Sequence, residues 1–127
     1  MAFHTSWLEE PFILATTFSD VVTSIDLKMA MLEYLGAAQE QPTYFLLDFT
    51  QANYVPEKLL DLPLLLQVMN HANTRWLAIV KPESEASYMT QILTKDRTRI
   101  FRDRESAAYF LRKMIAYDAA EEGDPSL

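Results

Sequence analysis

The sequence predicts a single α/β domain: a mixed, mainly parallel five-stranded sheet covered by helices. Three observations carry this. Strand-like stretches alternate with stretches of helical period along nearly the whole chain. Two of the strand-like stretches, TYFLLDF (43–49) and RWLAIVK (75–81), are apolar without alternation, as a strand covered on both faces must be. The connections are short, which favours neighbouring elements packing side by side.

Taken in order, residues 4–9 read as a short strand ended by Glu10 and Pro11, and FILATTFS (12–19), rich in β-branched and aromatic residues, as a second. TSIDLKMAMLEYLGAAQ (23–39) opens with Thr23 and Asp26 at capping-box spacing, where each satisfies a backbone donor that the first helical turn leaves unpaired. Ile25, Met29, Leu32 and Leu35 then share one helical face and are expected to meet the sheet. Leu27, Met31 and Tyr34 are left on a second apolar side. Gly36 and Pro42 bracket the end of this helix, and 43–49 follows as a buried strand.

The next helix takes Asp61 as its cap and Pro63 in its first turn, where a missing N–H costs nothing. In LLDLPLLLQVM (59–69), Leu62, Leu65, Leu66 and Met69 form an inward stripe, while Leu60, Leu64 and Val68 form another. A strand at 75–81, a short helix at 84–93 and a strand RTRIFRD (97–103) come next. Asp103 caps a last helix whose Ala107, Leu111, Met114 and Ile115 face inward. The expected order is β-β-α-β-α-β-α-β-α. The domain is drawn at 1–116, with 117–127, which carries Asp118, Glu121, Glu122 and Asp124, as an acidic, frayed tail.

Composition excludes several classes of function. The absence of cysteine removes disulfide frameworks, thiolate metal sites and cysteine nucleophiles. With two glycines, no glycine-rich phosphate loop can be built. A net charge of -7 disfavours nucleic acid and anionic membranes as partners. No apolar run reaches the ~20 residues of a membrane span, and a soluble, cytoplasmic protein is expected. His4 and His71 stand far apart without a neighbouring acid at helical spacing, so neither metal nor cofactor is expected.

This element order, with its central strand ending in LLDF, resembles the STAS domain and the related SpoIIAA-like superfamily over about residues 10–116. In anti-sigma-factor antagonists of that fold the corresponding strand ends on an aspartate, and a serine opening the next helix is phosphorylated to switch partner binding. The resemblance places Asp48 on the aspartate and Glu57 where the serine would fall. The run VPEKL (55–59) has no hydroxyl and no glycine. Glu57 carries a permanent charge, so the kinase-operated switch is expected to be missing.

Four residues form the strand-end loop: Asp48, Thr50, Glu57 and Lys81. Asp48 either accepts hydrogen bonds that close the turn or, with Lys81, serves as a base or cation ligand at the edge where α/β sheets bind ligands. Thr50 is a turn hydroxyl or a modified one. KDRTRIFRDR (95–104) concentrates five basic residues and reads as a charged, solvated edge strand, an anion patch being the alternative. The second stripes, Leu60, Leu64 and Val68 with Leu27, Met31 and Tyr34, are either covered within the fold or form an interaction or ligand surface. The leading expectation is a non-enzymatic regulatory interaction module that meets a protein partner or itself as a homodimer. The alternative is a carrier or sensor of a small apolar, lipid-like ligand held between helix 59–69 and the sheet. No catalytic set is recognisable.

Overall fold

The structure, a computed structural model, describes residues 3–54, 63–81 and 97–123. Strands β1 (Phe3–Glu9) and β2 (Ile13–Val21) form an antiparallel hairpin. Helix α1 (Ser24–Glu40) leads into β3 (Thr43–Tyr54), and α2 (Pro63–Asn70) into β4 (Thr74–Val80). Strand β5 (Thr98–Phe101) precedes α3 (Arg104–Gly123). The sheet order is β1-β2-β3-β4-β5, with every pair after the first parallel. This is the mixed α/β sheet that the alternation of periods predicts. The expected helix at 84–93 lies outside the described residues.

Every side chain from 43 to 49 in β3 is buried, which needs cover on both sides. On one face Phe18, Phe45, Leu47, Phe49, Leu77 and Ile79 meet α1 and α2. On the other, Ile13, Tyr44, Leu46, Ala78 and Val80 meet Ala107 and Leu111 of α3. Aromatic rings set the spacing in the first layer. Phe18 stacks on Phe49 with ring centroids 4.6 Å apart, and Tyr34 on Phe45 at 4.3 Å.

The caps at Thr23 and Asp103 form as the sequence implies, and the expected cap Asp61 lies outside the described residues. Thr23 and Asp26 exchange hydrogen bonds at the start of α1, and Asp103 Oδ1 accepts from the Ser106 N–H at 2.7 Å at the start of α3. The edge strand β5 is short, and Arg99 lies over the Phe110 ring at 5.0 Å.

Four expectations are corrected. First, α1 is turned about half a revolution from the expected face: Leu27, Ala30, Met31, Tyr34 and Ala38 are buried, while Ile25, Met29 and Leu32 are exposed. Tyr34 decides this, because its hydroxyl donates to the Leu46 carbonyl at 2.9 Å and its ring lies flat on Phe45. Second, Val68 is fully buried and Leu64 packs against the same core, so these two residues of the second stripe are covered within the fold rather than offered to a partner. Third, β3 runs to Tyr54, which puts Thr50 in the strand instead of a loop. Strand β2 extends to Val21 and supplies the pairing partner. Fourth, α3 continues to Gly123, so the drawn tail boundary falls inside a helix. Ala and Glu are strong helix formers, and Tyr44 anchors this part by donating to Asp118.

The facing of α1 makes a sharp contrast. Leu27→Ala should cost about 2–5 kcal/mol, as for other buried leucines, whereas Ile25→Ala should stay within about 0.5 kcal/mol; urea unfolding midpoints decide it. Burial pushes the Tyr34 phenol far above its ordinary value. A raised folded-state pKa means that this contribution is complete below about pH 10 and declines as pH rises beyond it. The urea midpoint should therefore drop in alkali, and Tyr34→Phe should flatten that drop.

Candidate functional site

Of the strand-end residues that the sequence singles out, Thr50 meets Asp48. Its carboxylate lies at the carboxyl end of the parallel strands and is buried. The β2–β3 register shifts between Thr17 and Ser19: Phe18 alone faces two residues, Phe49 and Thr50. Such a bulge takes one residue out of the regular ladder. Asp48 Oδ1 accepts from the Thr50 N–H at 2.8 Å and from the Thr50 hydroxyl at 2.7 Å. Asp48 Oδ2 accepts from Arg104 Nη1 at 3.0 Å, and the same nitrogen contacts the Thr17 hydroxyl at 3.1 Å.

The carboxylate is thus held by three donors from two elements. A group so satisfied acts as a bracket, tying β3 to the first turn of α3, whose Arg104 also reaches Thr17 of β2, and has little spare capacity as a base or cation ligand. In the sequence Arg104 reads only as part of the basic run 95–104. Its signal was the Asp103 cap, which places the next residue at the first helical position, directed back at the sheet edge. Lys81, at the end of β4, is buried with Nζ 5.7 Å from the centre of the Phe49 ring, and its N–H donates to the Phe101 carbonyl at 2.9 Å. Glu57 lies outside the described residues.

Most of the residues expected to form an interaction surface are buried. Leu27, Met31, Tyr34 and Val68 are core, Leu64 is half-buried, and Leu60 lies outside the described residues. The exposed apolar side chains of α1 lie on its opposite side, where Ile25, Met29 and Leu32 are 65, 42 and 57% exposed. Gly36 continues the row, and a Cβ built on it would meet nothing within 4 Å. Sequence reasoning found both stripes of this helix and reversed them, because either is apolar enough to face a sheet.

At the opposite edge of the sheet, Phe12, Pro42, Tyr44, Ile115 and Ala119 line a groove of about 230 Å³ whose polar rim includes Arg75 and Asp118. It lies beside α3, away from the expected cleft between helix 59–69 and the sheet. His71 follows α2, and its Nδ1 accepts from the Asn73 N–H at 3.0 Å; His4 sits on the edge strand β1. No group of three metal-ligating side chains occurs among the described residues. None of the described helices is long and apolar enough to cross a membrane.

No family model matches the chain, and no curated protein matches it. Among solved structures, it is similar to an uncharacterized protein of the DUF3478 family with a SpoIIAA-like fold from Shewanella loihica PV-4. The match has a TM-score of 0.55 and 20% identity, and covers 87% of this chain and 92% of that one. The fold is therefore SpoIIAA-like, as the element order and the LLDF strand imply.

A double-mutant cycle tests the bracket. Asp48→Asn and Arg104→Met should each destabilise and should couple by about 1–2 kcal/mol, between the values of exposed and buried pairs. Coupling near zero in urea denaturation would show that the pair ties nothing together.

Proposed function

We propose that this protein is a non-enzymatic interaction module of regulatory type that acts inside the cell and docks through the outer face of α1. One observation carries the reading: α1 has two apolar faces, one spent on the core and one exposed at Ile25, Met29 and Leu32. A surface helix needs a single apolar face to hold its place, and a contiguous exposed row tends to mark a partner surface. The three hydrogen bonds already accepted by Asp48 support a non-enzymatic role. Glu57, which the resemblance places where the serine would fall, supports docking that is not gated by a kinase at that position. Fold alone assigns no partner.

A second reading is the carriage of a small apolar ligand. The groove walled by Phe12, Pro42, Ile115 and Ala119 favours it. Native mass spectrometry of gently purified protein should then reveal extra mass, and a bare chain would end that reading.

The docking reading is tested with Leu32→Lys. Because Leu32 lies off the core, the melting temperature should hold within about 2 °C. Proteins captured by the wild-type chain from its own cells should be lost. Identical capture profiles for the two proteins would dismiss α1 as the docking face.

A further inference from the structure

The outer face of α1 carries information about what covers it. At 100° per residue, Ile25, Met29, Leu32 and Gly36 fall in one row directly opposite the buried Leu27, Ala30, Tyr34 and Ala38. Their spacing of four, three and four residues is that of a helix–helix seam, in which a long side chain of one helix fits between those of the other. Gly36 fits a seam as well. Packing within the chain does not call for a glycine there, since a Cβ would meet nothing within 4 Å. Glycine in a helix interior costs about 1 kcal/mol relative to alanine, and at a seam it lets a partner's bulky side chain approach the backbone.

The flanks are unequal. Along one side of the row stand Asp26, Glu33 and Glu40, seven residues apart and therefore in line. Glu33 and Glu40 are exposed; Asp26 is half-buried and also serves the cap. On the other side stand Lys28, exposed, and Leu35, half-buried. An apolar row bordered by an acidic one is complementary to a helix that has an apolar row bordered by basic residues. A second copy of this chain laid antiparallel fits poorly. In an antiparallel pair the 26–33–40 row would face its own counterpart, setting like charges together. Nucleic acid and anionic membranes are repelled by the same row and by the net charge of -7.

Resting on the docking face of the preceding section, we propose that its occupant is a basic amphipathic helix of another protein. The helix lies along Ile25, Met29, Leu32 and Gly36 and sets its lysines or arginines against Glu33 and Glu40. The acidic row supplies orientation and rate of encounter, and the apolar row supplies most of the affinity.

The experiment uses the full chain and two capped synthetic peptides of ~21 residues, three heptads long, below their self-association concentrations. One has leucines at seam positions with lysines beside them; the other has the same leucines with glutamates. Titration calorimetry should show the lysine peptide binding, weakening as salt is raised, with the glutamate peptide at least about tenfold weaker. Leu32→Lys should abolish binding. The double variant Glu33→Lys with Glu40→Lys should weaken the lysine peptide and admit the glutamate peptide, with the circular-dichroism melt unchanged for both variants. Equal binding of the two peptides, or indifference to the charge-reversed variant, overturns the proposed occupant.

The two readings fail separately. If sedimentation shows a dimer that Leu32→Lys dissolves, the docking face stands and the occupant is a second copy. If neither peptide binds yet Leu32→Lys abolishes cellular capture, the face again stands and the basic helix is wrong. If Leu32→Lys changes nothing in any of these assays, face and occupant fall together.

Discussion

Strand β3 can exist here only if both of its faces are covered. Its residues 43–49 are buried without exception, and two of them, Thr43 and Asp48, are polar. An apolar strand left open on one side would lose the burial that offsets the entropy of ordering it. The rest of the fold follows from this demand. Helices α1 and α2 close one face, where Phe45, Leu47 and Phe49 point, and α3 closes the other over Tyr44 and Leu46. The polar ends are each accounted for: the Thr43 hydroxyl donates to the Gln41 carbonyl, and Asp48 is met by Thr50 and Arg104.

Much of this was legible because local chemistry and global need agree. The unbroken apolar run of β3 cannot be a half-exposed strand, so helices on both sides were implied before any helix was placed. The capping residues Thr23 and Asp103 announced the starts of α1 and α3 for a reason intrinsic to the first helical turn. The rotation of α1 was not legible. A period of 3.6 identifies a face only when one face is apolar, and this helix has two. The choice between them is made by Tyr34, whose hydroxyl needs a partner and finds the Leu46 carbonyl deep in the core. That contact is tertiary, and nothing in residues 24–40 reveals it.

The bracket at the sheet edge was half legible for a related reason. Asp48 closing the strand region could be anticipated from its residue type, and Thr50 from its proximity. Arg104 lies 56 positions away along the chain, and its role exists only because α3 starts beside the end of β3. The length of β3 was missed because the bulge at Phe49 and Thr50 allows pairing to continue beyond the point where the apolar run stops. At the other end, the aliphatic and acidic residues after Ile115 look like a tail in composition, yet favour a helix once Tyr44 holds Asp118. Composition reports solvation well and reports order poorly where one buried anchor exists.

The strand order β1-β2-β3-β4-β5 means that each strand lies beside its predecessor in the chain. Among the described strands none is inserted between two laid down earlier, so the sheet can be assembled by accretion at one growing edge. Each addition closes a single crossover, and the entropy of loop closure is met one short segment at a time. The hairpin of β1 and β2 is the most local pairing among the described strands, joined by the turn in which the Phe12 N–H donates to the Glu9 carbonyl. A chain emerging from its N-terminus could build this sheet in the order in which it is made, with α1 and α2 arriving in time to shelter each new apolar strand.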